Sequence, residues 1–216
     1  MGLNLSILYR GPLSSCNYDC WYCPFAKHHE TATELHIDRQ KLERFVDWVA
    51  KRDDSDQISI FFTPWGEALT RRWYRDAIVQ LSHMDHVAKV AVQTNLSCEL
   101  DWLDDCQKDR IGLWCTYHPS QTSAAEFAQQ CRTLDQKGVR YSVGIVGLKE
   151  SFDQIEKLRK MLSPDVYLWI NAYKDAADYY DANEIAWLTA IDPLFPINNT
   201  RHPSHGKACR TGDDVV

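Results

Sequence analysis

Three cysteines stand close together near the start of the chain, in the run Cys16-Asn17-Tyr18-Asp19-Cys20-Trp21-Tyr22-Cys23. Thiolates are the natural ligands of iron–sulfur clusters. Three of them on one short loop can hold three irons of a cubane and leave the fourth without a protein ligand. An iron with an open position can bind a substrate or cofactor, so it can do chemistry as well as carry electrons. A zinc ion could take the same thiolates plus His28 or His29, but structural zinc usually draws on two separated ligand pairs. A disulfide framework fits poorly with eight cysteines in 216 residues and no secretory signal. The spacing therefore predicts one redox-active cluster on Cys16, Cys20 and Cys23.

Such a site needs a scaffold, and the composition supplies one. The chain is 44% hydrophobic and 12% aromatic, enough for a sizeable core, and it has no apolar run long enough to span a membrane. Net charge is −6 with dispersed basic residues, which predicts no nucleic-acid partner and no membrane association. Eight cysteines without an export signal predict a reducing compartment, the cytoplasm. No repeat, low-complexity tract or flexible linker interrupts the chain.

Strand and helix patterns alternate along it. Leu3 to Tyr9 reads as a strand that feeds the cysteine loop. Asp38 as N-cap opens a helix carrying Leu42, Phe45, Val46 and Val49. Ile58 to Thr63, Val87 to Thr94, Ile111 to Tyr117, Val139 to Val146 and Val166 to Ile170 read as further strands. Between them lie a helix marked by Tyr74, Ala77, Ile78 and Leu81 and a short one near Asp101 to Cys106. Ser123 with Glu126 opens another helix, closed at Gly138, and Ser151 with Gln154 opens the next. Six strands alternating with helices predict an α/β fold, a partial (β/α)6 barrel with parallel strands. Ligands in such folds gather at the carboxyl ends of the strands, where the cysteine loop lies. Of the eight cysteines, Cys98, Cys106, Cys115 and Cys131 read as small buried hydrophobes, and the tryptophans as mostly core, with Trp21 and Trp65 beside the site. His28, His29, His83 and His86 read as solvated.

The Cys-x3-Cys-x2-Cys spacing, with an aromatic before the last cysteine, resembles that of the radical S-adenosylmethionine (SAM) enzymes, and later strand ends resemble that superfamily too. Pro64-Trp65-Gly66-Glu67-Ala68 is similar to its Gly-Gly-Glu-Pro motif, which grips the methionine amino group. Gly66 and Glu67 match, while Trp65 and Ala68 depart. Thr94-Asn95 resembles Thr-Asn-Gly, with Leu96 replacing the glycine. Thr116 and His118 stand where the superfamily often places polar contacts to the ribose or methionine carboxylate. Ile145, Gly147 and Glu150 match the last elements of Gly-x-Ile-x-Gly-x-x-Glu, with Val143 at its first glycine. The resemblance implies that Ile145 packs on adenine and that Tyr22 offers its backbone to the adenine edge. It spans roughly residues 5 to 170. Each strand-end motif also has a plain reading: Glu67 as a helix N-terminal acid, Thr94-Asn95 as turn chemistry, His118 as a loop residue.

The resemblance implies a radical SAM core over residues 1–175 that holds a four-iron four-sulfur cluster and SAM. The reduced cluster would pass an electron to the SAM sulfonium, and the resulting 5′-deoxyadenosyl radical would abstract hydrogen from a substrate, an oxidoreductase- or transferase-type reaction. An external donor such as flavodoxin or ferredoxin would supply the electron. The tail, residues 176–216, holds a capped helix over Asp181 to Ala190 and ends in Cys209-x-x-Gly212, which resembles the opening of an auxiliary-cluster extension of the SPASM or twitch type. Such extensions are common among maturases, so a peptide or protein substrate is preferred. A small-molecule enzyme or a glycyl-radical activase is the enzymatic alternative. A non-catalytic iron–sulfur or zinc protein is the alternative of another class, and one that Glu67, Ile145, Gly147 and Glu150 argue against.

Overall fold

Alternate side chains on each central strand are apolar, and that pattern decides which face of the sheet the helices cover. The structure, a computed structural model, describes residues 2–26, 28–53, 56–201 and 205–208. Strands β1 (Asn4–Tyr9), β2 (Gln57–Phe62), β3 (Val87–Thr94), β4 (Ile111–Tyr117), β5 (Arg140–Val146) and β6 (Leu168–Asn171) form one sheet in chain order. Every pairing is parallel. β1 and β6 lie at the two edges, so the barrel is open, as the alternating pattern predicts.

Ile58, Ile60 and Phe62 of β2 and Ile111, Leu113, Cys115 and Tyr117 of β4 are buried on the helix-covered face. Helix α1 (Ala32–Ala50) buries Leu42, Val46 and Val49 there, and α2 (Arg72–Ser82) buries Tyr74, Ile78 and Leu81. Helices α3 (Ala124–Lys137) and α4 (Phe152–Met161) cover the other half with Phe127, Leu134, Ile155 and Leu158. The concave face carries an aromatic wall. Phe61 stacks on Trp114 at 6.0 Å and 12°, and Trp114 meets Trp169 edge-on at 5.0 Å. Gly144 leaves room for this wall, since a Cβ there would lie 3.0 Å from Trp114 Nε1. Beyond β6, α5 (Ala182–Ile191) and α6 (Phe195–Asn199) add fully buried Leu188 and Phe195 to the same core.

Several local readings hold. Ser123 and Glu126 form a reciprocal capping box, Gly138 ends α3 in the left-handed conformation, and Asp181 with Glu184 caps α5. Others are corrected. The first helix starts earlier than expected, on a Thr31–Glu34 capping box. Asp38 lies inside it, buried, accepting hydrogen bonds from Trp73 Nε1 (2.8 Å) and the Tyr74 hydroxyl (3.0 Å). Ser151 makes no side-chain cap; a 3-10 turn, Lys149–Ser151, leads into α4 instead. His86 is buried with Nε2 2.9 Å from the Val49 carbonyl, in the last turn of α1. None of the eight tryptophans is fully buried; the core is built from aliphatics, Phe and Tyr. Cys106, Cys115 and Cys131 are buried and Cys98 is half-buried. Cys209 and Gly212 lie outside the described residues.

One polar residue anchors the last helices. Asp192 is fully buried and accepts from the Tyr167 hydroxyl (2.8 Å), the Ile170 N–H (2.9 Å) and the Leu194 N–H (3.0 Å). Asp192→Ala strands the buried Ile170 N–H and frees the part-buried Leu194 N–H and Tyr167 hydroxyl. We expect it to lower unfolding free energy by about 2–4 kcal/mol in denaturant titration, with Asp192→Asn recovering part of the loss.

Candidate functional site

The cysteine loop leaves β1 through Gly11, whose φ of +62° and tight approach to the Tyr74 hydroxyl (2.9 Å from where a Cβ would stand) call for glycine. Backbone hydrogen bonds then fasten this loop to the segment after β2. The Leu13 carbonyl accepts from the N–H groups of Trp65 and Gly66, both at 3.2 Å, and the Ser15 carbonyl accepts from the Glu67 N–H at 3.0 Å. The two backbones run so close that a Cβ on Gly66 would sit 1.9 Å from the Ser15 oxygen. Gly66 is thus required for the approach itself, and its N–H is already used.

Two residues that sequence reasoning missed brace the same loop. Glu30 accepts from the N–H groups of Ser14 and Ser15 and from the Ser14 hydroxyl, and Arg71 Nη2 donates to Ser15 Oγ at 2.8 Å. Burial pushes the Glu30 carboxyl up, but the bonds from Ser15 and Ser14 outweigh it and bring its pKa down to about 2. Neither residue belongs to a recognisable motif, because the loop could be braced from any neighbouring segment.

Cys16, Cys20 and Cys23 line one cavity of about 170 Å³. Glu67, Thr94 and Asn95 line it from the ends of β2 and β3, and Thr116 and His118 from β4. Cys16 Sγ accepts from the Tyr18 N–H (3.4 Å) and from Asn95 Nδ2 (3.6 Å). The loop is also laced outward: Asn17 Nδ2 donates to Ser97 Oγ and the Asp19 N–H to Gln121.

Glu67 is the buried centre of this arrangement, 4% exposed. One carboxylate oxygen accepts from the Leu69 N–H (3.0 Å) and the Thr94 hydroxyl (2.8 Å), the other from the Asn95 N–H (2.6 Å). It caps the 3-10 turn Ala68–Thr70, so the plain reading of an N-terminal acid is part of its role. Burial drives its pKa up against those three hydrogen bonds. Among the described residues it forms no ion pair. A buried carboxylate with three donors and no cation is incomplete electrostatically, and it borders a cavity.

Thr94 spends its hydroxyl on Glu67 and on the Leu96 N–H, and Asn95 turns its amide to the cysteine loop. Leu96 occupies φ +58°, the left-handed conformation a glycine would hold without strain. Its side chain, 2% exposed, is locked in the core.

His118 Nδ1 lies 3.4 Å from Cys20 Sγ and 3.0 Å from the Tyr22 hydroxyl. Burial pushes this imidazole down to about 4, so it is neutral near pH 7. On the far side of Tyr22 a second cavity, about 560 Å³, is bounded by Trp21, Tyr117, Leu148 and Glu150. Ile145 and Gly147 line neither cavity. Ile145 pairs in register with Tyr117 and Ile170 and is buried on the helix-covered face, whereas Thr116, in register with Gly144, opens to the thiols. Gly147 packs against Tyr180, whose hydroxyl donates to its carbonyl at 2.6 Å. Trp65 is exposed and stacks on Phe25 at the rim, while Trp21 borders the second cavity.

Three thiols on one loop are a donor set of the kind iron–sulfur clusters take. His28 and His29 are exposed and line neither cavity. The three thiols line one cavity. Burial raises the Cys16 pKa, opposed by the Tyr18 N–H and reinforced by Glu67, Cys20 and Cys23. A cationic metal centre reverses that balance and deprotonates its thiol ligands.

No family model and no curated protein matches the chain. Solved structures do. The chain is similar to anSMEcpe with bound AdoMet, at 12% identity and TM-score 0.57, over 91% of this chain and 60% of that one. It is similar to Streptococcus suis SuiB, at 13% identity and TM-score 0.58, over 93% and 48%. SuiB bound to its precursor peptide SuiA matches at 13% identity and TM-score 0.57, over 91% and 47%. The chain therefore spans about half to three fifths of the proteins it matches.

Glu30 gives the site a pH dependence. Its carboxyl is held below its ordinary 4.5 at about 2, so its contribution is complete above pH 4.5 and is lost as pH falls through about 2. Denaturant titrations of the metal-free protein should show stability falling across that window. Glu30→Gln should be less stable at pH 7 and flatten the fall; an unchanged acid profile would refute the assignment.

Proposed function

We propose that this chain, whose fold is that of the radical SAM enzymes, is itself one of them. The observation that carries this reading is the meeting, in one cavity at the strand carboxyl ends, of three thiols from one loop and a buried carboxylate that forms no ion pair among the described residues. Cys16, Cys20 and Cys23 are the ligands for a four-iron four-sulfur cluster. Glu67 is the partner for the amino group of SAM, an ammonium that would complete its charge through a charge-assisted hydrogen bond. When bound, the cluster and SAM supply reductive cleavage of the sulfonium and hydrogen abstraction from a substrate.

The chain's own residues position and shield. The bonds from Leu13 and Ser15 to the Trp65–Glu67 segment set the distance between thiols and carboxylate. Asn95 holds Cys16, and His118 with Tyr22 flanks Cys20. The second cavity, between Tyr22 and Glu150, is the place for the adenine. Ile145 would then support it from within the core without touching the ring. Thr116 is the remaining polar wall toward the ribose. Trp65 and Phe25 narrow the mouth against water.

A peptide or protein is the proposed substrate class, supported by the similarity to SuiB bound to precursor peptide SuiA and to anSMEcpe with a bound peptide. The electron donor is proposed to be an external flavodoxin or ferredoxin. The described cysteines are all free thiols, which suits the cytoplasm proposed for it, and no helix among the described residues is long and apolar enough to cross a membrane.

The test is anaerobic. Reconstituted protein with dithionite and SAM should form 5′-deoxyadenosine and methionine, read by chromatography and mass spectrometry, and the Cys16→Ala, Cys20→Ala and Cys23→Ala variants should form neither. Glu67→Gln keeps the shape but offers an amide nitrogen to a site built from donors. It should weaken SAM binding by roughly 1.5–3 kcal/mol and also soften the β2–β3 corner. Wild-type SAM affinity in Glu67→Gln would refute the Glu67 role.

A further inference from the structure

Cys20 is buried, while Cys16 and Cys23 are partly exposed, and a side chain from another strand is aimed at its sulfur. His118, the first residue past β4, places Nδ1 3.4 Å from Cys20 Sγ. Its ring is fixed from two sides. Tyr22 stacks against it, with ring centroids 6.1 Å apart and 15° between the planes, and Tyr18 meets it edge-on at 5.9 Å and 81°. The turn that carries it is fixed as well. The His118 carbonyl accepts from the N–H groups of Gln121 (2.9 Å) and Thr122 (3.2 Å), and Gln121 Oε1 accepts from the Asp19 N–H on the cysteine loop at 3.1 Å. Ring contacts and a tied turn therefore hold the imidazole against the thiol.

A thiol can donate or accept a hydrogen bond, whereas a thiolate on iron can only accept. With Cys20 as a ligand, the proton between the two groups therefore sits on Nδ1 and points at sulfur. Hydrogen bonds to the sulfurs help to set a cluster's potential, together with its charge and exposure. An added electron makes the sulfur a stronger acceptor, so an N–H donor stabilises the reduced state more than the oxidised one. The surroundings act the other way, because Glu67 and the thiolates put negative charge around the same cavity. Cys16 Sγ accepts from the Tyr18 N–H and from Asn95 Nδ2, and His118 serves Cys20 in the same manner. The family resemblance implies a SAM contact at this position, but the distances direct Nδ1 to a cysteine of the loop.

We propose that His118 acts on the cluster through Cys20: its Nδ1–H donates to the Cys20 sulfur and raises the potential at which the cluster accepts its electron. This rests on the reading of Cys16, Cys20 and Cys23 as cluster ligands. Reduction adds one electron to the cluster and leaves the proton on Nδ1.

The experiment measures a potential, not turnover. The anaerobically reconstituted chain, without SAM, is titrated with dithionite and redox mediators while electron paramagnetic resonance follows the reduced cluster. His118→Phe keeps a flat ring between Tyr18 and Tyr22 and has no donor. Its midpoint should fall by a tenfold change in the reduction constant, about 59 mV for one electron. His118→Asn, whose amide nitrogen can stand at the Nδ1 position, should recover most of that shift at the same iron content. An unchanged midpoint in His118→Phe, or a fall that His118→Asn does not reverse, would overturn the proposal. A second measurement needs no variant. Reduced wild type grown with histidine labelled with the heavy nitrogen isotope should show a nitrogen coupling to the cluster in pulsed resonance spectra. Absence of that coupling would overturn the proposal even where His118→Phe fails to load iron. Wild type that takes up zinc and no iron would overturn the cluster reading, and this proposal with it.

Discussion

The architecture of the site depends on one buried carboxylate and the backbone seam beside it. Glu67 accepts hydrogen bonds from its own 3-10 turn and from both Thr94 and Asn95 at the end of β3. Its N–H is fastened to Ser15 on the cysteine loop. Three chain segments that are far apart in sequence are therefore held in register by one residue. Each buried donor left unpaired costs about 1–3 kcal/mol, so the ends of β1, β2 and β3 cannot drift independently. The seam also explains Gly66, since no larger residue lets the two backbones approach.

That geometry leaves an electrostatic demand that the polypeptide does not meet by itself. Burial raises the Cys16 and Glu67 pKa values, and each is further opposed or supported by neighbours that are themselves acidic or neutral. A folded protein retains such an arrangement where a ligand supplies the missing positive charge. Cluster irons would do this for the thiols and an ammonium for Glu67. Among the described residues lining that cavity, Arg10 carries the opposite sign.

Legibility in the sequence followed the locality of the signal. The cysteine spacing, the Ser123–Glu126 box and the Gly138 stop depend on residues a few positions apart, and the strands on alternation within each segment; these were readable, with strand ends shifted by a residue or two. Asp38 illustrates the opposite. Its type and position suggest an N-cap, but its partners Trp73 and Tyr74 lie on another helix. Glu30, Arg71 and Asp192 likewise satisfy donors or acceptors brought near only by folding. At Leu96 a departure from the expected glycine concealed a retained backbone conformation, visible in φ and not in residue type. For Ile145 the motif implies a contact with adenine, and the parallel register with Tyr117 places the residue on the helix-covered face. A one-residue alternation separates the two faces of a strand, and no motif match encodes it.

The account turns on whether the three thiols hold a cluster with an iron open to SAM. Low-temperature electron paramagnetic resonance of the anaerobically reduced protein, with and without SAM, tests this most directly. We predict about four irons per chain and a reduced-cluster signal whose g values shift on adding SAM. Stoichiometric zinc without iron, or a cluster signal that SAM leaves unchanged, would contradict it.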